Sequence, residues 1–189
     1  SFPYMLRYHS ELYMCPESSG SGQIRIYKCA GFPLQWELHK VIMENVSAVD
    51  TMLFERDGRW WMLTNIDMSG TGDHCSELCV FWADNPLSAD WTALPGNPIF
   101  IDPAKGRNAG LLFDGECHYR VAQKQGFQRY GKAFSINRIE QLDCLAYKET
   151  EVHSVQPIFF ANLIGSHHLH SNGNVSVFDF LEDKHINSV

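Results

Sequence analysis

Residues 50–65 read DTMLFERDGRWWMLTN: an apolar run, the pair Asp57-Gly58, and a second apolar-aromatic run. Asp-Gly between two strand-forming runs is a strong hairpin signal, because a two-residue type I′ turn needs positive φ at both central positions. The pattern occurs earlier, in 2–17 (FPYMLRYHSELYMCPE), at a shift of 48 residues, with Tyr8-His9-Ser10 at the turn. A third copy spans 108–123 (NAGLLFDGECHYRVAQ) around Asp114-Gly115, and a weaker fourth spans 165–180 (GSHHLHSNGNVSVFDF) around Asn172-Gly173.

After each of the first three hairpins comes another apolar strand and an aromatic-bearing return. These are Gln23–Cys29 then Trp36–Leu38, Glu77–Trp82 then Trp91–Leu94, and Tyr130–Ile136 then Leu145–Tyr147. Four-stranded blocks at a period of about 40–50 residues are the signature of a β-propeller, whose small sheets bury their faces only against one another. The predicted fold is therefore all-β, a single propeller-like domain over 1–189. Its four-stranded antiparallel blades fall at about 1–48, 49–105 and 106–160, with a partial unit at 161–189. A sandwich or barrel would show short strands without the longer period. Only Asn137–Leu145 offers a helical turn or two, and Ser18–Gly22 (SSGSG) reads as the joint between strands two and three of the first blade. Trp36 and Trp91 are expected between blades.

Of 189 residues, 44% are hydrophobic and 13% aromatic, enough for a packed core. A net charge of −7 with no concentrated Lys/Arg stretch argues against nucleic acid as partner. The longest apolar runs, such as Pro157–Ile164, are too short to insert in a membrane, and no basic-then-apolar leader precedes Tyr4. With apparently free cysteines this slightly favours the cytoplasm, but leaves the compartment open. Cys15, Cys29, Cys75, Cys79, Cys117 and Cys144 read mostly as small buried hydrophobes, Cys75 and Cys79 lacking a second pair at zinc spacing. The N-x-S matches at Asn45 and Asn174 are too short to establish secretion. Alternation puts only His168 and His170 of the 167–170 cluster on one face, so no metal site is assigned. No nucleophile elbow, phosphate loop or dinucleotide fingerprint is present, and no cofactor is expected.

In a hairpin the start of the first strand and the end of its partner share a rim, and propeller hairpins surround a central channel. The rim would carry Pro3 and Glu17, then Asp50 and Asn65, then Arg107, Asn108, Arg120 and Gln123, then His167, His168 and Asp179. Carboxylate, guanidinium, amide and imidazole groups suit sugar hydroxyls, which both donate and accept, while Trp60, Trp61 or Tyr13 is a candidate ring to stack on a sugar face. Alternation along the strand turns Trp60 and Trp61 to opposite faces, so at least one should be packing. Glu17 and Asp50 facing one bond would also suit glycoside hydrolysis. Each rim residue has a plainer reading as a cap, a backbone tie or an ion-pair partner.

The ordered motifs SFPYM, YMCPES, GFPLQWEL, VDTMLFERDGRWWMLTN, GRNAG, YRVAQ with RYG, and LIGSHHLH resemble the glycosidase-type propeller domain at the N-terminus of glucosamine inositolphosphorylceramide transferases. That group is similar to the five-bladed propellers of glycoside hydrolase families 43, 32 and 68, whose carboxylates lie in the axial funnel. The resemblance implies a site-tuning role for Asp50 at the head of an inner strand, while Glu17 matches only the Pro-Glu-Ser motif of the closer group. Two departures stand against hydrolysis. The third blade opens with Gly106-Arg107-Asn108 where a hydrolase would offer a carboxylate, and the resemblance implies a preceding blade, so one blade's worth of sequence is expected to be absent before Phe2. The expected function is saccharide or sugar-conjugate binding without efficient hydrolysis. The alternatives are an active hydrolase using Glu17 and Asp50, and a protein-interaction propeller with a vestigial sugar site. An open array leaves unburied edges, which predicts closure by the last half-blade or a homodimer through the open blade edges.

Overall fold

A computed structural model of the chain describes residues 2–126, 129–172 and 175–183. β1 (Tyr4–Tyr8), β2 (Glu11–Cys15), β3 (Gln23–Gly31) and β4 (Gln35–Glu44) form one antiparallel sheet in chain order. β5 (Ala48–Arg56), β6 (Arg59–Ile66), β7 (Glu77–Ala83) and β8 (Thr92–Ala93) form the second, with β9 (Phe100–Ile101) pairing further along β7. β10 (Asn108–Phe113), β11 (His118–Gly126), β12 (Arg129–Leu142) and β13 (Tyr147–Val155) form the third. The chain then makes β14 (Leu163–Gly165), the hairpin β15 (Leu169–Asn172) and β16 (Val175–Phe178), and β17 (Leu181–Glu182), which pairs with β14.

Backbone torsions explain the first two hairpins. His9 and Ser10 sit at φ 47° and 65°, Asp57 and Gly58 at 55° and 74°. Both loops thus have two residues of positive φ, the geometry that matches the right-handed twist of the flanking strands. The register follows, Tyr8 opposite Glu11 and Arg56 opposite Arg59.

Burial follows position in the array. β5 and β6 are covered on both faces and are buried almost throughout, whereas β1 alternates and the outer strand β13 is largely exposed. A blade with neighbours on both sides must be apolar on both faces. Leu6, Ile24, Ile26, Met52, Leu53, Trp61, Met62, Leu63, Leu78 and Val80 join the first two blades in one core, to which Leu111, Ile139 and Tyr147 add the third. Each large side chain so buried contributes about 1.5–3 kcal/mol.

The inner strands pack in the order β1, β5, β10, β15. Closure of this arc rests on a close backbone approach: a Cβ on Gly110, at φ +142°, would lie 2.0 Å from the Leu169 carbonyl oxygen. Glycine alone fits there. On the other side the last hairpin reaches the chain start, with His168 edge-on to Phe2 at 5.2 Å between ring centroids and His170 edge-on to Tyr4 at 5.5 Å. The polar turn of β15–β16, with Asn174, lies outside the described residues.

Several expectations need correction. Asn137–Leu142 continues β12 as strand, because its alternating side chains pair with β13, and no helix forms there. The SSGSG stretch joins β2 to β3 as expected, through one 3₁₀ turn, Ser19–Ser21, ended by Gly22 at φ 66°. Trp36 is half-buried on β4 and donates its indole N–H to the Pro33 carbonyl rather than filling an inter-blade core; Trp91 does pack against the core. Trp60, Trp61 and Tyr13 are all buried in that core, so none stacks on a ligand. Of the six free thiols only Cys15 and Cys79 are buried. Among the described residues no helix is long and apolar enough to cross a membrane.

Candidate functional site

A cleft of about 500 Å³ opens where the inner strands begin. Its walls bring together Glu17, Asp50, Arg107, Gln123, His167 and His168 from the expected set, along with Pro3, Phe2, Tyr130, His170, Phe178 and Asp179. Residues more than a hundred positions apart therefore share one mouth. Asn65, Asn108 and Arg120 do not line it: their side chains are buried beneath, where they hold the backbone.

The reason lies in two strand irregularities. β5 shifts register between Val49 and Met52, and β10 between Asn108 and Gly110. Asp50 sits in the first of these at φ 49°, unusual for a residue with a side chain. A bulge re-aims a side chain but frees backbone groups from the ladder, and buried backbone groups must be bonded. Asn108 Nδ2 donates to the Asp50 carbonyl at 3.0 Å and to the Leu63 carbonyl at 3.1 Å. Thr64 Oγ1 donates to the Val49 carbonyl at 3.2 Å and meets Thr51 Oγ1 at 2.7 Å. Asn65 ties the second and third blades by donating to the carbonyls of Glu77 and Gly106 and accepting from the Asn108 N–H at 2.8 Å.

Arg120 completes this floor. Its side chain is 0% exposed, and it donates to Asn108 Oδ1 at 3.2 Å and to the carbonyls of Gly106 and Lys105. Nε and Nη2 grip both oxygens of Glu149, at 2.8 and 2.6 Å, and the Tyr147 hydroxyl donates to the same carboxylate. A buried guanidinium is tolerated only with such a complete partner set.

Above the floor, Arg107 Nε donates to Asp50 Oδ2 at 2.6 Å and Nη1 to Cys75 Sγ at 3.6 Å. Burial pushes the Asp50 carboxyl above the ordinary aspartate value, Arg107 pulls it part of the way back, and the Glu17 carboxylate adds to the rise. The Arg107 guanidinium lies over the Tyr130 ring at 5.0 Å, and Tyr130 meets His167 edge-on at 5.3 Å. Gly131, at φ +64°, keeps that approach open, since a Cβ there would come within 2.9 Å of His167 Cβ. Asp179 Oδ1 accepts from the backbone N–H of both His167 and His168, at 2.9 and 2.8 Å, while Oδ2 pairs with His167 Nδ1. Burial raises the Asp179 carboxyl, but the His167 bonds outweigh it and leave it below its ordinary value. Gln123 Nε2 donates to the Asn108 carbonyl at 3.1 Å, leaving its amide oxygen to Gln125.

Sequence reasoning leaves Tyr130 out of the site and places Asp179 on the rim without a role. The RYG motif carries the signal for Tyr130, because a glycine following an aromatic at a strand start marks a close approach. No group of three His, Cys, Asp or Glu suited to a metal ion exists among the described residues.

The fold and cleft define a glycosidase-type β-propeller array. Solved structures with this fold include an exo-β-1,3-galactanase from Phanerochaete chrysosporium with β-1,3-galactotriose, at 14% identity and TM-score 0.64, covering 97% of this chain and 44% of that one. A GH43 enzyme from Xanthomonas citri complexed with xylotriose gives 11% identity and TM-score 0.60, covering 91% and 63%. Residues 1–160 match the family described as glucosamine inositolphosphorylceramide transferase 1, N-terminal, and the chain belongs to that family. The transferase of that name from Arabidopsis thaliana is 36% identical over 157 residues, and the one from Oryza sativa subsp. japonica 34% over 156. In each case 80% of this chain matches 20% of the relative, so the chain spans about a fifth of those proteins.

Glu149→Gln removes the counter-charge of a fully buried arginine. Denaturant unfolding should show a loss of about 3–5 kcal/mol, with a smaller loss for the double replacement Arg120→Met with Glu149→Leu. Equal stabilities for Glu149→Gln and the parent would contradict the floor described here.

Proposed function

We propose that this chain is a saccharide-binding propeller whose cleft holds a sugar or sugar conjugate without efficient hydrolysis. The observation that carries the reading is the Arg107–Asp50 pair at 2.6 Å, set beside Glu17, Gln123, His167 and the Tyr130 ring in one cleft. Guanidinium, carboxylate and imidazole groups match the mixed donor and acceptor character of sugar hydroxyls, and Tyr130 offers a π face to an apolar sugar face. Support also comes from relatives named glucosamine inositolphosphorylceramide transferase 1, and from fold neighbours solved with oligosaccharides.

The same pair argues against hydrolysis. A retaining or inverting mechanism needs one carboxyl as acid and a second as nucleophile or base, and Asp50 is bound to a guanidinium. The third blade head supplies that guanidinium, with Asn108 below it, and no carboxylate. The hydrolase alternative draws on the raised Asp50 carboxyl, which suits a general acid.

A third reading, the interaction module, draws on a different observation. Among the described residues β16 pairs only with β15, leaving one backbone edge outside the two-stranded ribbon, and Phe159, Phe160, Phe178 and Phe180 form an exposed aromatic cluster. An apolar open edge is a pairing template, and the partner this reading names is a second copy of the chain. Light scattering should then give a dimer mass that Phe160→Asp converts to monomer; a monomer at every concentration ends this reading.

The principal test is NMR titration with neutral methyl glycosides and short oligosaccharides. Shifts should concentrate at Glu17, Asp50, Arg107, Gln123, Tyr130 and His167, and Arg107→Ala should weaken binding more than tenfold, the loss of a charge-assisted hydrogen bond of about 2 kcal/mol. Undisturbed rim signals across the panel would remove the proposal. Turnover of aryl glycosides abolished by Glu17→Gln and by Asp50→Asn would replace it with the hydrolase.

A further inference from the structure

The channel has a second mouth. A chamber of about 700 Å³ opens where the inner strands end, beside Arg7 of β1, Glu55 of β5, Phe113 of β10 and Ser171 of β15. It meets the cleft along Tyr4, Met5 and His170, which line both. Its size falls within the range of about 300–1,000 Å³ usual for small-molecule sites. Met5, Leu6, Leu12, Leu111 and Leu112 make much of its wall apolar, so water inside is poorly held and an apolar ligand that displaces it gains affinity. Three rings stand in file along this wall. Phe54 is buried, the His118 ring follows at 5.0 Å between centroids and 35° between planes, and Phe113 follows His118 at 4.6 Å and 33°. The file stops there, with Phe113 56% exposed. Phe32, in the turn between β3 and β4, brings a further ring to the same chamber and is 75% exposed. Neither ring belongs to the hydrophobic core. The charges among the lining residues cancel, Arg7 against Glu55. Burial holds His118 and His170 below the ordinary histidine value and so uncharged at neutral pH; at His118 Arg56 adds to this, while Asp57 and Asp114 oppose it.

We propose that this lower chamber is a binding site for an uncharged planar aromatic ligand, whose ring continues the file beyond Phe113 and takes Phe32 as its second ring contact. Offset stacking on an aromatic face adds roughly two- to tenfold in affinity to what burial alone provides, and a saturated ring of the same size gains only the burial. One polar substituent is also served at the mouth, where the Glu55 carboxylate accepts from an O–H or N–H and the Arg7 guanidinium donates to an oxygen. A net charge on the ligand gains nothing from a lining whose own charges cancel, and loses its hydration on entering apolar walls. The site is independent of the saccharide reading, because Phe32, Phe113 and His118 line the lower chamber and not the cleft.

The test is NMR titration with phenol, its saturated counterpart cyclohexanol, and indole, with benzoate and benzylamine as charged probes. Phenol and indole should shift the signals of Arg7, Phe32, Phe113 and His118 while those of Asp50, Gln123 and His167 stay in place. Phenol should bind roughly two- to tenfold more tightly than cyclohexanol, indole at least as tightly as phenol, and both charged probes more weakly. Phe113→Leu keeps an apolar side chain and removes the π face, so it should bring phenol and cyclohexanol together; Phe32→Leu should narrow their gap. Both positions are exposed, and cooperative thermal melting shows that the variants fold. The proposal is overturned if the aromatic probes move no signal in the lower chamber, or if cyclohexanol matches phenol in the parent protein. It is equally overturned if the preference for phenol survives both substitutions, or if either charged probe binds more tightly than phenol. Sugar titration reads the other end of the channel, so failure of the saccharide reading and failure of this proposal are told apart by which signals stay still.

Discussion

The cleft depends on bulged strands whose freed backbone groups are tied down from below. A register shift in β5 turns the Asp50 side chain toward the channel, and the same shift leaves Asp50 without a cross-strand partner between the paired Val49 and Met52. Leaving its carbonyl unbonded in a buried site would cost about 1–3 kcal/mol, and Asn108 supplies the missing donor, while Thr64 adds a bond to the neighbouring Val49 carbonyl. Asn108 is fixed in turn by Asn65 on one side and Arg120 on the other. The buried polar residues are thus a second layer under the site, with Asn65 and Asn108 tying backbone groups and Arg120 held by the Glu149 carboxylate.

That layering gives the surface groups their character. Arg107 is delivered by the segment that Asn65 and Arg120 hold through the Gly106 carbonyl, and it meets Asp50 at a distance set by the spacing of two blades. The pair neutralises the carboxylate that the fold aims most directly into the channel. Tyr130 and His167 continue the line across to Asp179 on the closing ribbon, so that one wall is a chain of alternating ionic and ring contacts. A propeller is suited to this because each inner strand contributes only its first residues to the mouth, and neighbouring blades share no chain connectivity there.

Much of this was legible in the sequence. The 48-residue repeat and the Asp57-Gly58 turn give the blades, the hairpins and the rim, and six of the nine residues assigned to the site line the cleft. The other three, Asn65, Asn108 and Arg120, fail for one physical reason: position along a strand gives the rim, but the choice between channel and interior depends on bulges that alternation does not reveal. Polar residues at such positions serve the backbone as readily as a ligand. The aromatics failed similarly. Trp60 and Trp61 lie on a strand covered on both faces, where two adjacent rings are both packing, and a tyrosine ring that does reach the cleft, Tyr130, lies at the start of β12. The helical turn read over Asn137–Leu145 is overridden by pairing with β13, whose ladder runs from Phe134 to Leu142.

The most direct test of this layered account is the NMR behaviour of the Arg107 and Arg120 Nε–H groups near neutral pH. The account predicts two resolved, slowly exchanging signals, with Asp50→Asn speeding exchange at Arg107 while leaving Arg120 protected. An Arg107 signal that exchanges as fast as free arginine in the parent protein, or one that Asp50→Asn does not alter, would contradict it.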